Sequence, residues 1–163
     1  MPEPMEIERK YLVRPPIPLQ KLGTHRVIDI EQFYLASDKP EGKLRYRKCV
    51  ERGGATFFST LKRPGPNART RFESESSITA EEYELGTRNM VPGSHLVHKK
   101  RTVFTYDHQE FELDQFIEPA LDYQILEIEL DTADEEVRLP PFLEIVREVT
   151  SEKEFSNYKL AFR

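Results

Sequence analysis

Eight segments of this 163-residue chain alternate apolar and polar residues with a period of two. Such alternation is typical of β-strands, because successive side chains of a strand point to opposite faces of a sheet. The predicted strands are Met5–Val13, Val27–Ala36, Lys43–Val50, Ala55–Lys62, Thr70–Ile78, Val97–Tyr106, Glu110–Phe116 and Tyr123–Leu130. Turn-forming residues separate them, for example at 38–42, and the pair Asp107-His108 predicts a tight hairpin. The chain is therefore expected to fold largely as antiparallel sheet.

Two short helices are expected beside the strands. Thr79 precedes Glu82 by three residues, a capping-box pattern that predicts a helix ending before Pro92. Ser151 and Glu154 repeat the pattern near the C-terminus. No repeat, low-complexity stretch or linker divides the sequence, so we predict one α+β domain over residues 1–163.

Composition excludes several classes of function. The net charge is −5, with 24 basic and 29 acidic residues, whereas general nucleic-acid binders usually carry a basic face. The single cysteine, Cys49, excludes an internal disulfide and is typical of a reducing compartment; we expect its side chain to alternate away from Arg47. We expect no signal peptide, because the first residues lack a basic stretch followed by an apolar one, and no apolar run approaches the roughly 20 residues of a membrane helix. We expect a cytoplasmic monomer or homodimer that binds a small molecule rather than nucleic acid or a membrane.

The polar face of the predicted strands is unusually rich in charge. Charged residues with a spacing of two recur at Glu6, Glu8, Lys10, Arg45, Arg47, Arg71, Glu73, Glu75, Lys99, Arg101, Glu110, Glu112, Asp114, Glu127 and Glu129. Like charges on one strand face repel unless opposite charges or a ligand lie nearby. A solvated outer face explains any single strand, but the recurrence across nearly all strands favours a closed barrel with its charges inside.

The enclosed charges indicate the class of ligand. A barrel of about eight strands has room for one small ligand, and buried charges must be compensated because unpaired ones are costly. Carboxylate oxygens suit Mg²⁺ or Mn²⁺, and arginine and lysine suit phosphate oxygens. A phosphate chain complexed with divalent metal satisfies both signs.

A series of motifs resembles the CYTH superfamily, the triphosphate tunnel metalloenzymes. In chain order they are Glu6-x-Glu8-x-Lys10, Gln32-x-Tyr34, Arg45-x-Arg47, Thr60-Leu61-Lys62, Arg71-x-Glu73-x-Glu75, Lys99-x-Arg101, Phe111-Glu112-Leu113-Asp114, Glu127-x-Glu129, Glu148-Val149-Thr150, Lys153 and Ser156-Asn157. The first motif alone is weak, but together they span the chain. The resemblance implies an eight-stranded antiparallel closed β-barrel, a triphosphate tunnel with flanking helices, that binds triphosphates with Mg²⁺ or Mn²⁺. The 63–69 loop departs from the smallest members in being longer and more basic.

The resemblance also implies roles for individual residues. The phosphate chain would be held by Lys10, Arg45, Arg47, Lys62, Arg71, Lys99, Arg101 and Lys153. The metal ligands would be Glu6, Glu8, Glu73, Glu75, Asp114, Glu127 and Glu129. Catalytic candidates are Lys99, Glu127 and Glu129; Lys99 could act as a general base with a pKa lowered by neighbouring cations, although phosphate binding alone is the slightly favoured role.

The short bacterial members of this superfamily, which act on inorganic triphosphate, are the most similar. We therefore expect metal-dependent hydrolysis of inorganic triphosphate to pyrophosphate and phosphate. A class IV-type adenylyl cyclase or a thiamine triphosphatase is one alternative, but no aromatic cluster is assigned to a base or thiazolium. A non-catalytic module that binds polyphosphate or nucleotide is another, although binding alone would need mainly the cations.

Overall fold

The computed structural model describes residues 5–37 and 42–163. The strands are β1 Met5–Arg14, β2 His25–Leu35, β3 Lys43–Glu51, β4 Gly54–Pro64, β5 Thr70–Ser77, β6 Val97–Tyr106, β7 Gln109–Glu118, β8 Gln124–Leu130 and β9 Glu144–Glu148. The α-helices are α1 Ala80–Gly86 and α2 Asn157–Leu160. All eight predicted strands are confirmed, with each bound within two residues of its prediction. Most of the turn predicted at 38–42 lies outside the described residues.

Eight of the strands close into an antiparallel barrel. Neighbours pair in the order β5-β4-β3-β2-β6-β7-β8-β1, and a further pairing between β1 and β5 completes the ring. That closing contact is short, running from Met5 opposite Phe72 to Ile7 opposite Thr70. The predicted closed eight-stranded barrel is thereby confirmed.

The ninth strand, β9, was not predicted. It pairs with β1 beyond the β1–β5 contact, with a register shift between Leu12 and Val13. Its sequence lacks period-two alternation, because the apolar residues Ile145 and Val146 are adjacent. β9 therefore owes its extended form to pairing with β1 rather than to a local pattern.

Tight turns join two pairs of strands as the sequence suggests. Asp107 and His108 both have positive φ values, 48° and 63°, between β6 and β7. Arg52 and Gly53, between β3 and β4, also have positive φ values, 53° and 78°. Two consecutive residues with positive φ are typical of the type I′ turn, whose twist matches that of the flanking strands. The predicted hairpin at Asp107-His108 is confirmed.

The outward faces of the strands carry most of the apolar core. One cluster lies on β1, β6, β7 and β8 and is covered by residues from the 15–22 and 131–143 segments; its buried members are Tyr11, Val13, Leu22, Phe104, Phe111, Leu113, Leu126, Ile128, Leu130 and Leu143. A smaller cluster lies where α1 packs on β2, β3 and β4, with the rings of Tyr83 and Phe33 edge to face at 5.1 Å. A Cβ at Gly86 would lie 2.7 Å from the Tyr46 ring, so this approach of α1 requires glycine. In these two clusters the buried apolar side chains therefore lie on the outward faces of the strands.

The capping-box pattern predicts the start of the first helix correctly but not that of the second. The Thr79 hydroxyl accepts a hydrogen bond from the Glu82 backbone N–H, which confirms the cap of α1, although α1 ends at Gly86. The C-terminal helix was predicted to start at Ser151, which is wrong: its cap is Ser156, whose hydroxyl accepts from the Lys159 N–H. None of the described helices combines the length and apolarity needed to cross a membrane.

The C-terminal helix belongs to a segment that is held by tertiary packing. Residues 149–163, the C-terminal segment, enter one end of the barrel, where Val149, Phe155 and Leu160 are buried. They pack against residues on the inward strand faces, among them Val97 and Phe116, the register partners of Gln32 and Lys99. The interior is thus charged over part of its length and apolar where this segment packs, which the alternation did not predict.

Candidate active site

A cavity of about 600 Å³ lies inside the barrel between β1, β3, β4, β5 and the C-terminal segment. Its basic lining residues are Lys10, Lys43, Arg45, Lys62, Arg63, Arg71, Lys153 and Lys159. Among the described residues, Glu8 and Glu152 are the lining carboxylates. We call this space the cationic cavity; its excess of positive charge suits a polyanion of small-molecule size.

Several of these basic side chains are held in place although not all of their hydrogen-bond donors have an acceptor among the described residues. Arg45 is 4% exposed, and its Nε has no hydrogen-bond partner among the described residues. The Lys62 Nζ lies 3.6 Å from a Glu6 oxygen and 3.7 Å from a Glu73 oxygen, longer than a hydrogen bond. Arg71 donates from Nη1 to the backbone carbonyls of Ala68 and Thr70 at 3.1 and 3.0 Å. Donor capacity is therefore available to phosphate oxygens.

The 63–69 loop forms part of the cavity wall. Asn67 and Ala68 line the cavity, and the Arg69 carbonyl accepts a hydrogen bond of 2.8 Å from the Glu8 backbone N–H. The loop turns back sharply at Gly65, where a Cβ would overlap the backbone of Thr70. The 63–69 loop thus helps to close the barrel beside β1.

Three carboxylates meet next to the cationic cavity. Glu6 and Glu8 share the inward face of β1, and Glu127 lies on the neighbouring strand opposite Lys10. One oxygen from each lies within 4.8 Å of the other two. Burial and the Glu8 carboxylate raise the pKa of Glu127 to about 7. We call these three residues the carboxylate cluster.

The carboxylate cluster fits a divalent metal ion. The Glu8 Oε2 is buried and has no hydrogen-bond partner among the described residues. Buried carboxylates that repel each other are costly unless a cation or proton lies between them. Oxygen ligands are those that Mg²⁺ and similar hard cations prefer, so the donor set matches the predicted metal.

Lys99, Arg101 and Asp114 form a buried ion group deeper in the barrel. The Asp114 carboxylate accepts from Lys99 Nζ at 2.8 Å, Arg101 Nε at 2.8 Å and Arg101 Nη2 at 3.0 Å. Against the effect of burial, these two cations hold the pKa of Asp114 well below its usual range. Burial lowers the pKa of Lys99, as do the charges of Arg101 and Arg47. Asp114 is the counter-ion of two cations and lies outside the carboxylate cluster.

Two neutral side-chain amides, those of Gln32 and Asn157, link Arg47 to Lys99 through hydrogen bonds. Arg47 donates from Nε and Nη2 to the Gln32 Oε1 at 2.9 and 2.6 Å. The Gln32 Nε2 donates to the Asn157 Oδ1 at 3.0 Å, and Lys99 Nζ donates to the same oxygen at 2.9 Å. Burial and the Arg45 and Arg101 charges lower the pKa of Arg47 to about 9. We call Gln32 and Asn157 the amide pair.

A second cavity, of about 400 Å³, lies at the opposite end of the barrel, by the β6–β7 hairpin. Its acidic lining residues are Glu110, Glu112, Glu129, Asp131 and Glu135. We call it the acidic cavity. Glu129 is exposed here, although its register partner is Glu8 of the carboxylate cluster.

The structure therefore separates the predicted site residues into groups. Glu6, Glu8 and Glu127 come together, whereas Glu129 lines the acidic cavity. Glu73 lies beside Lys62, and the exposed Glu75 accepts from the Thr60 hydroxyl at 3.3 Å. Lys153 is exposed at the rim of the cationic cavity. The metal, phosphate and catalytic roles assigned to all these residues stay predictions.

Some residues of the site were missed or misplaced by the sequence. Lys43, which shares the inward face with Arg45 and Arg47, could have been found from the alternation. Lys159 and the amide pair carry no comparable signal, because the C-terminal segment reaches the site only through packing. The expectation that Cys49 points away from Arg47 is wrong, since residues two apart share a strand face and Cys49 pairs with the inward-facing Ile30.

Comparison with known proteins gives a consistent family and fold. The CYTH domain model matches residues 4–157. The crystal structure of the inorganic triphosphatase NE1496 has a TM-score of 0.65 and 28% sequence identity over 97% of this chain and 98% of its own. None of the curated proteins compared with the chain matches its sequence.

Two more distant structures support the fold. PH1819 from Pyrococcus horikoshii OT3 is 22% identical, covers 80% of this chain and 80% of its own, and has a TM-score of 0.62. HpAC1 from Hippeastrum, described as an adenylyl cyclase candidate with a dominant triphosphatase activity, is 16% identical over 78% of this chain and 80% of its own, with a TM-score of 0.58.

Proposed function

The chain belongs to the CYTH domain family, and on that premise we propose that it hydrolyses inorganic triphosphate to pyrophosphate and phosphate with Mg²⁺ or Mn²⁺. One observation carries the proposal: the cationic cavity and the carboxylate cluster adjoin inside one barrel and share Glu8. An anion in that cavity would lie beside a group of oxygen ligands. The similarity to NE1496, an inorganic triphosphatase that nearly the whole chain matches, supports this substrate.

The cations of the cavity would bind and orient the phosphate chain. The buried Nε of Arg45 has no hydrogen-bond partner within residues 5–37 and 42–163 and would donate to a phosphate oxygen, and charge-assisted hydrogen bonds of this kind are among the stronger ones. The carboxylates of Glu127 and Glu8 raise the pKa of Lys10 despite its burial, so Lys10 stays charged between cluster and cavity. Phosphoryl transfer depends mainly on positioning and on stabilising charge that develops in the transition state. Fixed cations provide both.

The carboxylates would hold the metal ion. Glu6, Glu8 and Glu127 are the residues placed to do so. A divalent cation bound there supplies neutralisation of phosphate charge and a lowered pKa for a bound water. Lys99 is fully buried and does not line the cationic cavity. Because of this position, Lys99 is better placed to add positive charge to the interior than to act as a general base on a substrate in the cavity.

An organic triphosphate is the second candidate substrate, and one observation favours it. Tyr34 and Tyr158 line the cationic cavity with their rings edge to face at 4.9 Å, and Lys43 Nζ lies 4.0 Å from the Tyr158 ring centroid. Aromatic rings at a cavity wall can bind a planar base or a thiazolium. Adenylyl cyclase or thiamine triphosphatase activity would use this wall.

A substrate panel tests the proposal. Purified protein is assayed with tripolyphosphate, ATP and thiamine triphosphate in Mg²⁺ or Mn²⁺, and phosphate, pyrophosphate and cyclic AMP are measured. We expect tripolyphosphate to give the highest kcat/KM, with pyrophosphate and phosphate in equal amounts, and EDTA to stop the reaction. Faster turnover of either organic substrate would favour the second candidate. Binding without turnover, or activity unaffected by EDTA, would contradict the proposed function.

A further inference from the structure

The amide pair occupies a specific place among the interior cations. Gln32 is fully buried, and both of its side-chain polar atoms are used, Oε1 by Arg47 and Nε2 by Asn157. Asn157 accepts from Lys99 and Gln32 with the same Oδ1 and also lines the cationic cavity. A continuous hydrogen-bonded chain therefore runs from Arg47 through both amides to Lys99.

An amide carbonyl and a carboxylate orient a cation equally well but differ in charge. Asp114 both orients and neutralises, since it accepts three hydrogen bonds from Lys99 and Arg101. The Gln32 and Asn157 carbonyls orient Arg47 and Lys99 without adding a negative charge. The interior thus keeps more positive charge than it would with carboxylates at these two positions.

We infer that Gln32 and Asn157 are positioning residues that hold Arg47 and Lys99 in place while leaving their charge to act on the bound phosphate chain. The inference rests on the proposed function, because it assumes a polyanionic substrate. It also gives the C-terminal segment a part in the site: Asn157 is the first residue of α2, and its side-chain Oδ1 accepts a hydrogen bond from Lys99 of β6.

Substitutions that keep the shape of the side chain but add a negative charge test whether the neutrality of the two amides matters or only their hydrogen bonds. Asn157→Asp keeps an acceptor for Lys99 and Gln32, and Gln32→Glu keeps one for Arg47. Gln32→Glu also loses the Nε2 donor to Asn157, so Asn157→Asp is the cleaner test. If the amides matter only for hydrogen bonding, Asn157→Asp should act like the wild type. If their neutrality matters, the added carboxylate pairs with the cation, and we expect the affinity for tripolyphosphate to fall about tenfold or more.

The measurements are a Kd for tripolyphosphate by calorimetry in EDTA, KM and kcat in Mn²⁺, and a melting temperature. We expect Kd and KM to rise together in both variants, while the melting temperature of Asn157→Asp stays the same or rises because a carboxylate stabilises charged Lys99. Matched controls are Asn89→Asp and Gln20→Glu, which add the same charge at exposed positions that line neither cavity. Their Kd and KM should match those of the wild type.

Each other result decides against the inference. Wild-type Kd and KM in both variants would show that the amide charge is irrelevant. A lower melting temperature in Asn157→Asp would show that a carboxylate does not pair with Lys99. An equal loss of affinity in the controls would show a general effect of net charge. A wild-type protein that neither binds nor hydrolyses tripolyphosphate would instead overturn the proposed function, and the inference with it.

Discussion

The two cavities of this barrel arise from the same pattern but carry opposite charge. The cationic cavity lies where β3 and β5 begin and β4 ends, and basic residues such as Lys43, Lys62 and Arg71 are concentrated there. The acidic cavity lies at the β6–β7 hairpin, with Glu110 and Glu129. Both use inward-facing positions of alternating strands.

The difference shows that the charged residues are distributed unevenly along the barrel axis: basic residues are concentrated at one end and acidic residues at the other. A polyphosphate, the proposed class of substrate, would be attracted to the cationic cavity and repelled by the acidic one, so the field would orient it along the barrel. The carboxylate cluster lies on the strands that connect the two regions, β1 and β8. Substitutions should therefore matter most near this junction and least at the acidic end.

The largest effect is expected for Glu8→Gln, because Glu8 belongs to both the carboxylate cluster and the cationic cavity. We expect kcat/KM for tripolyphosphate to fall on the order of 100-fold, as for loss of a key electrostatic group. The melting temperature should not decrease, since the change removes a buried charge whose Oε2 has no hydrogen-bond partner among the residues that the structure describes. A variant with wild-type kinetics would exclude Glu8 from the site.

Arg45→Gln should weaken substrate binding. Arg45 lines the cationic cavity, and its buried Nε has no hydrogen-bond partner in the part of the chain that the structure describes, so loss of the guanidinium should raise KM about tenfold to 100-fold. Arg14→Gln is a matched control that removes an exposed arginine paired with Glu144, and its KM should be unchanged. Equal effects in the two variants would mean that the barrel interior is not the binding site.

Glu129→Gln tests whether the acidic cavity contributes to the metal site. Because Glu129 lies opposite Glu8, we expect a loss of about tenfold in kcat/KM with a higher Mn²⁺ requirement. Glu110→Gln is the matched control, because Glu110 lines the same cavity two residues before Glu112 on β7. Its kcat/KM should stay close to that of the wild type. Similar losses in both variants would indicate that the whole acidic cavity acts on the reaction.

The smallest expected effect is on stability and depends on pH. The pKa of Glu127 is about 7 in the folded protein, above the ordinary value of 4.5. A raised carboxyl pKa stabilises the fold below the unfolded value, and this contribution is lost as pH rises through 7. Metal-free Glu127→Gln should therefore melt close to wild type at pH 4.5 and above it at pH 8.

Manganese should reverse this trend, because metal and proton compete for the same carboxylates. We expect Mn²⁺ to raise the melting temperature of the wild type more at pH 8 than at pH 5.5. In Glu127→Gln that pH dependence should be smaller. A stabilisation by Mn²⁺ that is equal at both pH values and in both proteins would place the ion elsewhere.

Local sequence patterns predicted a large part of this molecule. Alternation identified the eight strands and the face on which Glu8, Arg45 and Arg101 lie, because the two-residue period of a strand is a local property. The cap at Thr79 and the hairpin at Asp107-His108 depend on interactions within four residues and were likewise predictable. The family resemblance rested on the same inward residues.

The remaining features depend on contacts between distant parts of the chain. Alternation assigns a side chain to a face but not to a height along the barrel, which only the register between strands decides. For that reason the sequence grouped Asp114 with Glu8, whereas the register pairs Asp114 with Arg101. Glu129 does pair with Glu8 in the register, but its exposed side chain lines the acidic cavity, which alternation also does not predict.

The amino-acid sequence by itself determined the strands and their charged inward face, since both follow from residue type and spacing, and on that basis it predicted the chemical class of ligand. The tertiary structure alone decided the entry of the C-terminal segment, the ninth strand, the cap at Ser156 and the chain of amides from Arg47 to Lys99. Their cause is long-range packing: Val149, Phe155 and Leu160 are buried only once the barrel has closed, and their burial carries Asn157 to the cations.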